Sequence, residues 1–326
     1  VSPRIKRLLP WVLSLAFVAF LFATTDLDAM GDALARADWV HLVVLMAVVT
    51  VAAYVADAAT LLPLVRRFVA PANFPEILRI KGVSYFLNAL NYSLAAGGIA
   101  WVLARRHQTP FMRAFSPLVW FFFVDIVALG LLLAFGFAVH RDLIADPELA
   151  ARVPWVLVVI GAVIVGSLCY WNLRFDFFVF GFFRRWRLFS AFAEARIGDY
   201  LRFVPMRMAF IGVYILMHRL LLPAFGVDIP LGALIAYAPL ITFVQVIPAT
   251  VSGLGAAQSV MVVLFAAHVP PEAGDGRAVI LAYSTVIGPL MMLFRLIIGY
   301  AFVSRVTRDL IPEAAAIEAA RNAEND

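Results

Sequence analysis

The chain of 326 residues is 64% hydrophobic and only 14% charged, with a mean hydropathy of +0.94, whereas soluble domains run at about 45–50% apolar and about 25% charged. This composition excludes a soluble enzyme and requires lipid as the solvent. The basic surplus, a net charge of +5, reads as a topology signal rather than a nucleic-acid footprint, and a single cysteine, Cys169, excludes a disulfide framework or a thiol metal site.

From the N-terminus, Arg4, Lys6 and Arg7 precede an apolar stretch at about 8–25. It is long for a signal h-region, and Asp26, Asp28 and Asp32 make a poor cleavage approach, so an uncleaved anchor is expected. Uninterrupted apolar spans follow at about 39–62, 114–140, 154–172, 208–225 and 278–303, each close to the roughly 20 residues a helix needs to cross a hydrocarbon core of about 30 Å. Two further apolar regions, at about 82–104 and 231–268, are broken by Gly, Pro and polar residues. Arg66, Arg67, Arg79 and Lys81 precede the first, and Arg105, Arg106 and Arg113 follow it. Basic residues favour the cytoplasmic side, so both flanks are expected there, and a segment that enters and leaves on one side is a hairpin. The second region lies between Asp228 and the Glu272, Asp275, Arg277 loop, both expected outside. Of the 26 basic residues, this assignment leaves Arg36, Arg141, Arg152 and Arg277 outside, Arg219 and Arg295 within spans, and the rest inside. The expected fold class is an all-α polytopic membrane protein, with about six full transmembrane helices and two Gly-rich re-entrant hairpins in an inverted-topology repeat. Both termini are expected in the cytoplasm of a bacterial-type inner membrane. Residues 1–310 read as one transmembrane domain, its halves at about 1–172 and 208–303, with an interfacial elbow at about 174–207 and a short cytoplasmic tail at 311–326. Within the elbow, Arg174 to Arg187 interleaves Phe and Trp with basic residues, which suits a headgroup interface. Glu194 to Arg207 is amphipathic and is expected to lead helically into the next span.

Irregular backbone survives at membrane depth only where it is buried in protein or lines a watered cavity, which makes the Gly-rich breaks candidate binding elements. Gly97 and Gly98 in the first region, with Ser252, Gly253 and Gly255 in the second, would let backbone approach a phosphate or carboxylate at a helix N-terminus. Close helix packing by small residues is the competing reading. Asn88 and Asn91, and Gln245 and Gln258, either bond a headgroup or satisfy the broken backbone. Asp57, Asp125, Arg219 and Arg295 are ionisable residues within spans, where a charge costs from about 3 kcal/mol to several times more. Asp125 and Arg295 each occupy the crossing after a hairpin, so Arg295 is expected to pair with Asp125, or failing that with Asp57. A purely structural ion pair is the competing reading. No Walker loop, dinucleotide fingerprint, zinc-protease pair or nucleophile elbow is present. His41, His107, His140, His218 and His268 lack ligand spacing. No cofactor, metal or catalytic residue is therefore expected; among the histidines His218, beside Arg219, is the candidate for handling a proton.

The run Gly97-Gly98-Ile99-Ala100-Trp101 to Arg105-Arg106, then Val124-Asp125, then Pro248-Ala249-Thr250-Val251-Ser252-Gly253-Leu254-Gly255, and finally Arg295, resembles the flippase-like membrane domain associated with lysylphosphatidylglycerol synthetases. The resemblance covers nearly the whole chain. It implies that the Gly-rich breaks belong to the paired hairpins and that the domain moves lipids between leaflets, with membrane lipids as partners. In such a lipid translocator the backbone breaks and Arg295 would hold a phosphate, and Asp125 or Asp57 would answer a positive headgroup or carry a proton. The chain departs from the family's pattern at Gln258, where an acidic residue often stands, and at Ile126, which replaces a basic one. Only a short tail follows Arg305, so no soluble aminoacyl-transferase domain is expected. Two other functions fit the same residues. One is a non-transporting accessory that scaffolds lipid for a separate lipid-modifying synthase. The other is a membrane-embedded transferase acting on a lipid-linked sugar. A homo-oligomer is compatible with each, and nucleic acid is not an expected partner.

Overall fold

The structure is a computed structural model and describes residues 19–90, 92–140, 147–172, 181–246 and 255–323. Among them there are helices and no strand. In chain order, α1 is Leu27–Arg36, α2 Trp39–Phe68, α3 Phe74–Leu90, α4 Tyr92–Arg106, α5 Phe111–His140 and α6 Pro147–Asn172. After these come α7 Gly181–Arg185, α8 Ser190–Glu194, α9 Ile197–Leu221, α10 Leu231–Val246, α11 Ala256–Phe265 and α12 Gly276–Ala323. Five stretches, carried by α2, α5, α6, α9 and α12, are long and apolar enough to cross a membrane, which makes the protein an all-α polytopic membrane protein. They correspond to five of the expected spans. The remaining one, at about 8–25, lies for the most part outside the described residues, of which 19–23 are helical.

The lipid-facing surface is apolar as well as the core. On α2 the residues Val40, Val44, Val48, Val51 and Val55 are exposed at the spacing of one helical face, while Leu42, Met46, Val49 and Ala53 are buried. An apolar outside over an apolar inside is stable only in hydrocarbon. Helix α6 lies at the edge, with Trp155, Val158, Val159 and Val165 exposed, and rests on α5 and α8.

The helices form two repeats. Under an exchange that pairs α2 with α9, α3 with α10, α4 with α11 and α5 with α12, the packing of one half reproduces that of the other: α3 lies on α12 as α10 lies on α5, α4 on α5 as α11 on α12, and α2 on α12 as α9 on α5. The direction of the exchange follows from α2 and α9. At one end, Asp38 N–H donates to Ala224 O at 2.9 Å and His41 Nε2 meets Leu220 O at 2.8 Å. At the other, Arg67 makes a two-pronged ion pair with Asp199 at 3.0 and 3.2 Å. The start of α2 thus touches the end of α9, and the reverse. Equivalent helices run antiparallel, so the repeats are inverted, as the flanking charges require. Arg66, Arg67, Arg105, Arg106, Arg113, Arg196 and Arg202 gather at a single end of the bundle, called here the basic end.

Both interrupted regions fold as pairs of short helices, α3 with α4 and α10 with α11, of 17, 15, 16 and 10 residues. Each falls short of the roughly 20 residues of a full crossing. The first pair is clasped at the basic end, where buried Glu76 of α3 meets Arg106 Nε at 2.7 Å and His107 Nε2 at 3.2 Å. Each pair is docked onto the opposite half at a glycine. A Cβ on Gly136 of α5 would lie 2.6 Å from Ala236 Cα of α10, and one on Gly299 of α12 would lie 2.7 Å from Phe86 N of α3. Only glycine permits that backbone approach.

Candidate functional site

Four charged side chains from four helices meet inside the bundle. Arg207 of α9 grips Asp125 of α5 with two prongs, Nε to Oδ1 and NH2 to Oδ2, the latter at 3.0 Å. Its remaining nitrogen, NH1, donates to Thr60 Oγ1 at 3.0 Å and to Asp57 Oδ1 at 3.3 Å, both on α2. Lys81 of α3 closes the group, with Nζ 2.8 Å from Asp57 Oδ2. Two acids and two bases cancel, and all four carboxylate oxygens are engaged. The guanidinium carbon lies 4.1 Å from the Phe210 ring centre and 4.5 Å from that of Phe121. Flat faces and a three-nitrogen fork explain arginine rather than lysine at this place.

The polar surface continues along two helix faces. On α9, Arg207, Tyr214 and His218 follow one another at helical spacing, and His218 Nδ1 meets Tyr283 Oη of α12 at 2.8 Å. On α3, Lys81, Tyr85 and half-buried Asn88 do the same. Arg295 of α12 stands where these faces converge. Its NH2 donates to Tyr214 Oη at 2.9 Å, and its guanidinium carbon is 5.5 Å from the Tyr85 ring centre. Tyr85 in turn sits edge-on to Tyr54, whose hydroxyl donates to Leu78 O at 2.5 Å.

The structure therefore brings Asp57 and Asp125 together but gives them different partners from those expected. The anticipated Asp125 to Arg295 pair is not formed, because Arg207 occupies both oxygens of Asp125 and Arg295 turns to a tyrosine. Arg219 stays apart, paired with Asp228 at the far end of α9, where the two side chains are 39% and 73% exposed. The glycine pair Gly97 and Gly98 does not form the turn of the first hairpin. Both lie within α4, whose first residue is Tyr92. A Cβ on Gly98 would meet only the tip of the Leu87 side chain on α3, and one on Gly97 would meet no atom within 4 Å. Gly255 is a true break: it opens α11 with φ at +82°, a conformation that favours glycine. Gln258 satisfies that broken backbone, its Oε1 accepting from Gly255 N–H at 2.5 Å. Gln245 is exposed near the end of α10. Asn91, Ser252 and Gly253 lie outside the described residues.

Arg207 and Lys81 are the members that sequence reasoning missed. Lys81 reads as a basic flank of the first interrupted region and Arg207 as the end of an amphipathic lead-in, because Asp199, Arg202 and Arg207 interrupt the apolar run before 208. In the structure α9 begins at Ile197, eleven residues earlier, and carries Arg207 well inside. A signal was present. Two carboxylates within apolar spans demand two cations, and Arg207 shares a helical face with Phe210, Tyr214 and His218.

Comparison with known proteins gives one family. The family described as the lysylphosphatidylglycerol synthase TM region matches residues 7–299, which include both repeats, the charge cluster and Arg295. No curated protein matches the chain.

Proposed function

Because the chain belongs to the lysylphosphatidylglycerol synthase TM region family, whose members are membrane proteins concerned with lipid handling, we propose that it carries a lipid headgroup between leaflets along the seam between its two repeats. The observation that carries this reading is a break in the symmetry. Helix α2 packs on α5, yet the equivalent helices α9 and α12 do not pack along their length and are bridged by long side chains, Tyr214 to Arg295 and His218 to Tyr283. In inverted repeats, alternating access is largely a rocking of one repeat against the other, so the second state exchanges the packing of the two halves. On this reading α9 closes on α12 as α2 leaves α5, and polar residues buried between the halves offer a path through the hydrocarbon.

The short-helix pairs would then be re-entrant hairpins, entering from opposite faces and held to the opposite repeat by Gly136 and Gly299. The basic end faces the cytoplasm, by the preference of Lys and Arg for that side, in a bacterial inner membrane. The test is leaflet-resolved movement of labelled phospholipid in liposomes containing the purified full-length protein. Movement well above that of protein-free liposomes is expected. Correctly inserted protein with no movement above that background would overturn the reading in favour of an accessory role beside a lipid-modifying synthase.

A further inference from the structure

We propose that Arg295 holds the phosphodiester of an anionic lipid and that the site discriminates against lipids with net positive headgroups. This deepens the lipid-handling reading and rests on it. Asp57 gives Oδ2 to Lys81 and Oδ1 to Arg207, and Asp125 gives both oxygens to Arg207. Both acids are thus already neutralised by cations of the protein, and the four groups together leave no net negative charge for a cationic headgroup. Arg295 is the charge left over. Among the described residues no carboxylate forms a salt bridge with it, and its one hydrogen bond goes to the neutral Tyr214 hydroxyl at 2.9 Å.

A guanidinium has five N–H donors and no acceptor, so most of the hydrogen-bonding capacity of Arg295 is open. Its fork matches two oxygens of a phosphate, which is the partner that planar two-pronged geometry favours. The tyrosines shape the site further. Tyr214, while accepting from Arg295, keeps its own hydroxyl proton to donate to a phosphate oxygen. Tyr85 holds the other side of the guanidinium by its ring. The place is also reachable from lipid. Arg295 is only partly buried, Met292 one turn before it on α12 is exposed, and it stands on the seam that α9 and α12 leave unpacked. A headgroup can enter there while its acyl chains stay in the bilayer, an arrangement open to a lipid and not required for free phosphate.

The experiment is native mass spectrometry of the full-length protein in detergent with phosphatidylglycerol, phosphatidylethanolamine or lysine-esterified phosphatidylglycerol. Phosphatidylglycerol should be retained best and the lysine ester least. Arg295→Gln should weaken phosphatidylglycerol retention about tenfold or more, the usual scale of a lost charge-assisted contact. Arg295→Lys, the variant expected to fold best, should lower it severalfold and leave the lysine ester unchanged. Tyr214→Phe, which frees the guanidinium, should retain the lipid better than either. Equal retention of the cationic and anionic lipids, or wild-type phosphatidylglycerol retention by Arg295→Lys, would overturn the proposal. Displacement of the lipid by millimolar inorganic phosphate would identify a free-phosphate site and overturn it equally. Retention that obeys these expectations while liposomes show no leaflet movement would sink translocation and leave the site standing.

Discussion

Removing Arg207 should damage the fold more than removing its best partner. Arg207→Leu leaves the largely enclosed Asp125 with neither oxygen paired and takes one of two cations from Asp57. Breaking a buried pair from one side costs about 3–5 kcal/mol, because the surviving charge is stranded, and two acids depend on this arginine, so the upper end applies. Asp125→Asn leaves one cation in excess, but it leaves no charged group without a partner. Arg207 keeps Asp57 and Thr60, at 3.3 and 3.0 Å, and the loss should be about 1–3 kcal/mol, the scale of hydrogen bonds to a charged group. In the double variant Asp57 still has Lys81 at 2.8 Å and no charge is stranded. Its cost should therefore fall below that of Arg207→Leu alone, with a coupling energy of about 3 kcal/mol, near the top of the range for residues in contact. Equilibrium unfolding in mixed micelles, followed by circular dichroism, measures all three variants, and Arg219→Ala at the exposed pair serves as control at below about 1 kcal/mol. Losses for Arg207→Leu and Asp125→Asn that add within about 0.5 kcal/mol, or an Arg207→Leu protein as stable as the control, would refute the reasoning.

Two further outcomes follow from the packing. Gly136→Ala must push apart two backbones, since its Cβ would sit 2.6 Å from Ala236 Cα, and should cost about 1–3 kcal/mol in overpacking, whereas the Cβ of Gly97→Ala meets no atom within 4 Å and that variant should be no less stable than wild type. The same micelle titration compares them, and equal losses would contradict the assigned roles. In a background lacking Cys169, Arg79→Cys and Arg105→Cys, both exposed and flanking the clasp of Glu76 with Arg106, should label from the same face of the membrane. Labelling from opposite faces would dismantle the first hairpin.

The spans were legible because lipid imposes a strong demand on composition: about 20 apolar residues in a row have few other uses. The inverted repeat was legible from charge alone, since Arg79 and Arg105 flank one interrupted region while Asp228 and Asp275 flank the other. The interior was legible only in half. Asp57 and Asp125 stood out as acids in apolar runs, but the identity of their partners is a tertiary fact. Arg207 lies 150 residues from Asp57 and 82 from Asp125, and neutralisation by those acids is what allows its stretch of sequence to enter the membrane at all. A reading of local hydropathy must place such a residue outside. Gly97 and Gly98 misled for a related reason. Glycines at a turn and glycines inside a helix look alike in sequence, and the start of α4 at Tyr92 decides between them.

The distribution of the charges between the repeats explains how the halves recognise each other. Asp57, Lys81 and Asp125 all belong to the first repeat, which alone would hold two acids against one base in hydrocarbon. The second repeat supplies the missing cation, Arg207, so its docking is favoured by relief of an uncompensated buried charge and not by apolar contact, which lipid would satisfy as well. The second repeat also brings Arg295, and for this cation the first repeat offers the face of Tyr85 and no acid. One arginine thus closes the interface between the repeats and the other is left at its seam without a counter-ion among the described residues. Were Arg295 matched by a third carboxylate, the seam would be as neutral and as closed as the cluster beside it. Its unbalanced charge keeps that side of the repeat pair open to a ligand from the bilayer.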